Sequence, residues 1–330
     1  MLKAERCVEF SALRVLLIVA ESETLTQAGD KLGVSQSAVS QALKQLELQM
    51  GVELVVRRSR PLRLTPAGRV MRRYARQMLA DMQRMHTDVQ MASSQGLGKL
   101  RLGLIDSFAD AAGPQIMEQL MPFAEQLSLR TGLVGSLKEA LLEREIDMLL
   151  TSDPMQEQTE LVQQQVLQDP FVLVVAQQHQ ACAAGSVAAL AQALPFIGYN
   201  RQLRLGSLTQ LIARRLGLEL TVRYELDSTS TLLRFVQQGH GWAFTTATCL
   251  MQNPALLEGV CILPVTPGSH SREISLLSRR GEFCEQSAQV AQICREIYSQ
   301  QLVPPLLAQA PWLAGQACAI GDVPATESTD

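Results

Sequence analysis

Apolar residues near the start of the chain recur at spacings of three and four, a pattern typical of amphipathic helices. They predict a first helix over residues 11–20. Thr24 and Gln27 have the spacing of a capping box, so a second helix is predicted to begin near Leu25.

Gly33 and Ser35 mark the turn between the second helix and a third that runs to about residue 49. Glycine readily adopts the left-handed conformation found at helix ends, and serine is a preferred N-cap. Two short helices joined by such a turn predict a helix-turn-helix. Four apolar residues are predicted to hold this module together, namely Val34, Val39, Leu43 and Leu46.

Two short strands and a long helix are predicted next. The strands lie in "VELVVRRSRPLRLTP" on either side of a turn at Arg60–Pro61. Thr65 caps the long helix and Pro66 begins it, the position where proline is favoured. Apolar residues three and four apart give this helix an apolar stripe. The stripe is predicted to pair with a second helix or, alternatively, to pack on the protein's own body. The stripe consists of Met71, Tyr74, Met78, Met82, Met85 and Val89.

From Lys99 onward, short apolar strands alternate with helices, which predicts an α/β domain with a largely parallel sheet. Strands are predicted at 100–105, 127–134, 146–151, 171–176, 195–199, 221–226, 241–246 and 273–278. Helices are predicted at 114–126, 136–144, 187–193, 206–217, 229–238 and 283–300. The proline-rich segment 303–330 is predicted to be a loosely packed or flexible tail.

Composition favours a folded protein, because 47% of the residues are apolar and only 18% are charged. No apolar run approaches the ~18 residues of a membrane span, and the start lacks a secretory signal, so we expect a cytoplasmic protein. The seven cysteines are scattered without metal-ligand spacing. We therefore expect no metal and no cofactor.

Charge is distributed unevenly along the chain. Residues 1–95 hold 14 Lys/Arg against 9 Asp/Glu, whereas residues 96–330 hold 15 against 23. Eight arginines and no acid lie within residues 57–76. A basic amino-terminal module on an acidic body predicts a polyanionic partner for the first part alone.

Several of these segments together resemble the LysR-type transcriptional regulators. The resemblance rests on "VSQSAVSQALKQLE", Gly51, "LVVRR", "LRLTPAG" and the long helix, and it runs almost without a gap from about Phe10 to Gln90. Gly29 stands where the family usually has an alanine, which is expected to cost the helix about 0.5–1 kcal/mol. From about residue 99 to 302, the order of strands and helices is similar to the family's effector-binding domain.

The resemblance implies a multidomain protein with α and α/β parts. Residues 1–66 would form a winged helix-turn-helix and residues 67–95 a linker and dimerisation helix. A two-lobed α/β effector-binding domain, similar to periplasmic binding proteins, would occupy 96–302. Its lobe one would span 98–165 with 268–302, and its lobe two 166–267, so that the chain crosses between lobes near 163–168 and 265–269.

The resemblance also implies which residues face DNA. The third helix of a winged helix-turn-helix enters the major groove, where glutamine can pair with adenine and serine can contact bases or phosphates. Arginines of the wing would neutralise phosphates and add affinity with little sequence information. The DNA-facing set is Gln36, Ser37, Ala38, Ser40, Gln41, Lys44, Arg57, Arg58, Arg60 and Arg63.

The family's ligand site lies between the two lobes, where loops at the carboxyl ends of strands face helix amino termini. The implied contacts are Ser107, Gly135, Ser136, Asn200, Arg201, Thr245 and Thr246. An alternative for two of them is helix capping, because Ser107 and Ser136 each precede an acid by three residues. Arg201 or Arg204 could pair with a carboxylate ligand, or could be a solvated surface charge.

The favoured function is therefore a sequence-specific transcriptional regulator that responds to a small effector and is not an enzyme. Its implied partners are double-stranded DNA, a second copy of the chain, an effector of unknown identity and RNA polymerase, with no membrane. An enzyme or small-molecule-binding protein with an appended DNA-binding module is the alternative, although no P-loop, G-x-S-x-G or dinucleotide fingerprint is present. A third hypothesis is an architectural protein that binds DNA mainly by charge. The nearly uncharged third helix argues against it, because binding by charge does not require such a polar face.

Overall fold

A computed structural model describes residues 8–56, 59, 61–91, 97–153, 155, 157–183, 186–268 and 270–320. The chain divides into two compact units. One comprises Met1–Gly98 with Leu142–Arg144, and the other comprises Lys99–Leu141 with Glu145–Asp330.

The first unit begins with three helices that confirm the predicted helix-turn-helix. They are α1 (Phe10–Ala20), α2 (Leu25–Leu32) and α3 (Gln36–Met50). Gly33 ends α2 at φ 69°, and the Ser35 hydroxyl accepts a hydrogen bond from the Ala38 N–H at the start of α3. The three helices enclose a small core made of Leu16, Val19, Ala28, Val39, Leu43, Leu46, Leu54 and Val55.

Two details of the turn differ from the sequence-based expectation. Val34 is 47% exposed and does not join the core, because it lies in the turn between α2 and α3. The close approach of the turn requires glycine at position 29, because a Cβ on Gly29 would lie 2.7 Å from the Val34 carbonyl oxygen. The residue therefore lets the turn fold closely over α2, and its cost to helix propensity is only part of its effect.

The wing and the long helix also form as predicted. Strands β1 (Val55–Val56) and β2 (Arg63–Leu64) pair antiparallel. Helix α4 (Pro66–Met91) follows, and the Thr65 hydroxyl accepts a hydrogen bond from the Gly68 N–H at 2.9 Å. The side chains of its stripe at Tyr74, Met78, Met82 and Met85 are exposed, that of Met71 is half-buried, and that of Val89 lies outside the described residues.

The second unit contains most of the remaining elements. Its helices are α5 (Asp106–Leu120), α6 (Val134–Leu142), α7 (Gln180–Ala183), α8 (Val187–Ala193), α9 (Arg204–Arg215), α10 (Thr229–Gln237), α11 (Ala247–Leu250), α12 (Cys284–Ile297) and α13 (Val303–Gln309). Its strands are β3 (Leu97–Ile105), β4 (Ala124–Gly132), β5 (Met148–Thr151), β6 (Leu161–Ala176), β7 (Phe196–Tyr199), β8 (Val222–Leu226), β9 (Trp242–Thr246), β10 (Val260–Pro264), β11 (Ser271–Arg279) and β12 (Cys318–Ala319).

These strands form one sheet in the order β4-β3-β5-β11-β6-β9-β7-β8, with β10 and β12 also paired to β6. The sheet is mixed and not largely parallel, because β6 pairs antiparallel with β9, β10, β11 and β12. Strand β6 is 16 residues long, so one end pairs with β11 in the first lobe and the other pairs with β9 and β10 in the second. A single strand is thus shared by both lobes.

Helix α5 begins at Asp106, eight residues before the predicted start. Pro114 lies inside this helix, although proline is usually found at the first helical position. Burial of Phe108 and Ala112 on the sheet outweighs the local cost of the proline. Tertiary packing therefore decides where this helix begins.

The prediction of a loosely packed tail was wrong for residues 303–320. Leu306 and Leu313 are buried, and the Trp312 indole N–H donates to the Ile262 carbonyl of β10 at 3.4 Å. Strand β12 then pairs with β6 at Leu167 and Gln168. The segment is apolar enough to fold against the sheet despite its prolines, and residues 321–330 lie outside the described residues.

Candidate functional site

Polar side chains cover the outer face of α3, and most of them have no partner among the described residues. Gln36, Gln41 and Lys44 are exposed and Ser40 is half-buried, and none makes a hydrogen bond or ion pair with the described residues. Ser37 differs, because its hydroxyl lies 2.8 Å from that of the N-cap Ser35. The exposed Ala38 adds a methyl group to this face, and its N–H donates to the Ser35 hydroxyl. The face as a whole therefore offers hydrogen-bonding groups and almost no charge.

Basic residues follow α3 in the sequence. The structure describes one of the four arginines that are predicted to contact phosphates from the wing. Arg63 in β2 is exposed and makes no hydrogen bond or ion pair with the described part of the chain. Arg57, Arg58 and Arg60 lie outside the described residues. Arg63 is thus available to a phosphate group.

A second feature is a cavity of about 260 Å³ between the two lobes of the second unit. It lies beyond the carboxyl ends of β3, β5, β7 and β8, the position where ligands bind in α/β proteins. The amino termini of α5, α6, α9 and α10 contribute to its wall. Its lining residues are Ile105, Asp106, Ser107, Asp110, Gly132, Leu133, Val134, Ser152, Tyr199, Leu203, Arg204, Leu205, Asp227, Ser228, Thr229, Ser230, Gln252 and Arg272.

A buried ion pair forms the floor of this cavity. The Arg272 side chain, only 4% exposed, donates through Nε to Asp169 Oδ2 at 2.8 Å, and the Asp169 side chain is fully buried. The second carboxylate oxygen of Asp169 accepts from the Thr248 N–H at 2.8 Å. Burial lowers the pKa of the Arg272 guanidinium, but the charge and hydrogen bond of Asp169 outweigh it, so that this pKa lies above its ordinary value.

Arg272 also organises the hydroxyl groups around it. Its Nη2 donates to Ser107 Oγ at 2.9 Å and to Thr246 Oγ1 at 3.2 Å, and it lies 3.9 Å from Cys249 Sγ. Its Nη1 has no partner among the described residues. Since the side chain lines the cavity, Nη1 is the donor that remains for a ligand.

Tyr199 closes another side of the cavity. Its hydroxyl lies 2.8 Å from Thr245 Oγ1 and 3.1 Å from Thr229 Oγ1. Burial raises the pKa of the Tyr199 phenol far above its ordinary value. The phenol therefore stays protonated and neutral at physiological pH.

Of the seven residues expected to contact an effector, Ser107 alone lines the cavity. Thr245 and Thr246 are buried behind the wall, where they hold Tyr199 and Arg272. The remaining four lie one or two residues along the chain from lining residues without lining the cavity themselves, and they are Gly135, Ser136, Asn200 and Arg201.

Three of these four residues make local contacts. Ser136 donates to the Leu133 carbonyl, Asn200 accepts from the Gln202 N–H, and Arg201 lies 3.9 Å from Glu225. The capping alternative is wrong, since Ser107 is the second residue of α5 and Ser136 is the third residue of α6. Arg204, the other arginine considered, lines the cavity at the start of α9.

Sequence reasoning missed Arg272, Asp169, Tyr199 and Gln252. Arg272 and Asp169 are 103 residues apart and are brought together by the pairing of β6 with β11. A signal was present for Asp169 alone, because it is a single acid within the otherwise apolar run "VLQDPFVLVVA". A charge buried in such a strand is almost always paired, but Arg272 stands beside Glu273 in a polar stretch and nothing in its own surroundings marks it as the partner.

No group of three or more His, Cys, Asp or Glu side chains that could hold a metal ion occurs among the described residues. Within the same part of the chain, none of the helices is both long and apolar enough to cross a membrane.

Two family models match the chain. The model described as "LysR substrate binding domain" matches residues 93–302, and "Bacterial regulatory helix-turn-helix protein, lysR family" matches residues 10–69. The HTH-type transcriptional regulator BudR of Raoultella terrigena is 27% identical over 288 residues, which cover 83% of this chain and 96% of that protein. A probable hydrogen peroxide-inducible genes activator of Mycobacterium xenopi is 35% identical over 139 residues, 40% of this chain and 74% of that protein.

Solved structures share the fold. A full-length OxyR variant from Pseudomonas aeruginosa has a TM-score of 0.68 at 19% identity, covering 88% of this chain and 95% of that one. Full-length CbnR in complex with its target DNA has a TM-score of 0.63 at 19% identity, covering 87% and 99%.

Proposed function

The chain belongs to the LysR family of bacterial transcriptional regulators, and from this premise we propose that α3 reads its operator through Gln36, Ser37, Ala38, Ser40 and Gln41. The observation that carries the proposal is the set of exposed or half-buried amides and hydroxyls on the outer face of α3, most of which have no partner within the described residues. Glutamine can pair bidentately with adenine, serine can contact either bases or phosphates, and the Ala38 methyl suits a thymine methyl.

The cationic residues have a different task in this proposal. Lys44, Arg63 and the sequence neighbours Arg57, Arg58 and Arg60 contact phosphates, which adds affinity and salt dependence but little discrimination. Separate residues thus supply affinity and specificity. Since DNA is the partner, the protein acts in the cytoplasm, where the bacterial chromosome lies, and RNA polymerase bound nearby is a further partner.

Two copies of the chain bind together in this proposal. The exposed stripe at Tyr74, Met78, Met82 and Met85 of α4 has the spacing of a helix-pairing seam and is open to solvent in the single chain. A twofold dimer places two α3 helices on half-sites about one helical turn apart, about 10–10.5 base pairs. The cavity between the lobes of each subunit holds the effector, which shifts the population of arrangements that bind the operator.

Footprinting with the double variant Ser40→Ala/Gln41→Ala tests the reading of DNA. We expect the native chain to protect two patches one turn apart at the promoter region of a controlled gene. The double variant is expected to lose this protection, because each lost pairing removes about 1–3 kcal/mol of discrimination. It is expected to keep non-specific binding at low salt, since the arginines remain.

The matched control is Gln77→Ala, which removes an exposed glutamine from α4 and leaves the helix-turn-helix unchanged. Its footprint is expected to equal that of the native chain. Full operator protection by the double variant would contradict the assignment of α3 as the reading helix.

A further inference from the structure

The walls of the inter-lobe cavity carry two kinds of polar group at different places. Hydrogen-bond donors collect at the floor, around Arg272, whereas carboxylates and an amide oxygen collect beside it at Asp106, Asp110 and Gln252. Such a division favours a ligand that itself has a negative and a positive end.

The donor side is built from a buried cation and from helix ends. Arg272 keeps Nη1 free of partners among the described residues while Asp169 fixes its guanidinium. Helices α5 and α9 both begin at the cavity without a side-chain cap, because their N-cap residues are Ile105 and Leu203. Uncapped amino termini leave backbone N–H groups to an anion, and their dipoles favour negative charge.

The acceptor side adjoins the donor side, because the two sides contact neighbouring residues of α5, Asp106 and Ser107. Gln252 Nε2 donates to Asp110 Oδ2 at 2.8 Å and lies 3.5 Å from the Asp106 carbonyl, whereas Arg272 donates to the adjacent Ser107. Gln252 Oε1 is buried and accepts no hydrogen bond from the described residues. Buried acceptors normally have a donor, so this oxygen favours an N–H group on the ligand.

Asp227 also lines the cavity, and its side chain is exposed without a hydrogen bond or ion pair in the described part of the chain. The charged side chains of the lining are then two arginines and three aspartates, counting Arg204 with those already named. An ordinary dicarboxylate would set its second charge against these aspartates. A simple amine would leave the floor donors unused.

Taking the cavity as the effector site, and thus resting on the proposed function, we propose that its ligand is a zwitterion of the α-amino-acid type. The carboxylate binds Arg272 Nη1 and the free N–H groups of α5 and α9. The ammonium group binds Gln252 Oε1 and the carboxylates of Asp106 and Asp227. A volume of about 260 Å³ limits the ligand to a small one, since usual ligand sites span about 300–1,000 Å³.

The first experiment uses the full-length native chain and the twenty L-amino acids as probes. Thermal unfolding identifies binders, because a ligand that binds the native state raises the midpoint. The tightest is then compared by calorimetry with its amide, which lacks the carboxylate, and with its deamino acid, which lacks the ammonium. We expect both analogues to bind at least tenfold more weakly.

Variants assign the two ends of the ligand. Asp227→Asn is expected to weaken binding of the amino acid several-fold and to leave binding of the deamino acid unchanged, because that analogue has no ammonium group. The matched control Glu219→Gln removes an exposed acid of the same lobe outside the cavity, and both affinities are expected to stay at native values.

The proposal is overturned if none of the twenty amino acids binds, if succinate or putrescine binds more tightly than every amino acid, or if Asp227→Asn weakens both ligands equally. Footprinting of the same preparations keeps this proposal separate from the proposed function. Operator protection without amino-acid binding would contradict the proposed ligand class alone. Amino-acid binding without operator protection would contradict only the assignment of α3 as the reading helix.

Discussion

The outer face of α3 and the floor of the inter-lobe cavity are both polar, yet their hydrogen bonds are arranged in opposite ways. On α3, Gln36 and Gln41 have no partner within the described residues, whereas at the floor Arg272 and Asp169 hold each other and their neighbours. Free side chains can adapt to the base edges of a groove. A network that is already bonded fixes the position of the one donor that is left, so it favours a small ligand of defined shape.

This comparison predicts that substitutions at the floor change the free energy of unfolding and that substitutions on the outer face of α3 do not. The largest effect is expected for Asp169→Ala, which leaves the Arg272 guanidinium buried without its counter-charge. Breaking a buried pair by removing one partner costs about 3–5 kcal/mol. Urea unfolding followed by circular dichroism measures it. The control Glu219→Ala is expected to stay within about 0.5 kcal/mol of the native chain, and a loss below 1 kcal/mol in Asp169→Ala would show that the pair is not a structural anchor.

A smaller loss is expected for Glu47→Ala, which lies on the inner side of α3. The Glu47 carboxylate accepts from the N–H groups of Leu54 and Val55 at 2.9 and 3.3 Å, and all three residues are buried. Leaving buried donors unsatisfied costs about 1–3 kcal/mol, again measurable by urea unfolding. The exposed neighbour Gln45→Ala serves as the control. Equal stability of the two variants would contradict the division of α3 into a bonded inner side and a free outer side.

The smallest loss separates two serines of the same segment. Ser35→Ala removes the N-cap of α3 and is expected to destabilise the first unit by about 1 kcal/mol. Ser40→Ala removes a hydroxyl without a partner in the described residues and is expected to change stability by less than about 0.5 kcal/mol. Thermal unfolding of the two variants, measured side by side, compares their stabilities. A larger loss of stability in Ser40→Ala than in Ser35→Ala would contradict the assignment of Ser35 as the N-cap.

The helix-turn-helix could be predicted from the sequence because its signals are local. Thr24, Gly33 and Ser35 each act within four residues of their own position, and the structure places a cap or a left-handed turn at each. The apolar spacing of Val39, Leu43 and Leu46 likewise depends on one helix alone. Such signals do not require knowledge of the rest of the fold.

The cavity could be predicted only as a general location. Its floor depends on Arg272 meeting Asp169 across two strands, and on Ser107 lying inside a helix that begins earlier than Pro114 suggests. Both depend on how the strands are paired and packed, which no short window of sequence contains. Gly135, Ser136, Asn200 and Arg201 lie one or two residues along the chain from residues that line the cavity, for the same reason.

The packing of residues 303–320 has a consequence for how the protein is made. Strand β12 follows the other described strands of the sheet along the chain, so during synthesis the backbone of β6 at Leu167 and Gln168 lacks this neighbour until β12 itself has left the ribosome. Open strand edges recruit strands from other chains. A message broken soon after codon 302 would yield a chain whose two lobes have been translated in full but whose shared strand is still open to aggregation.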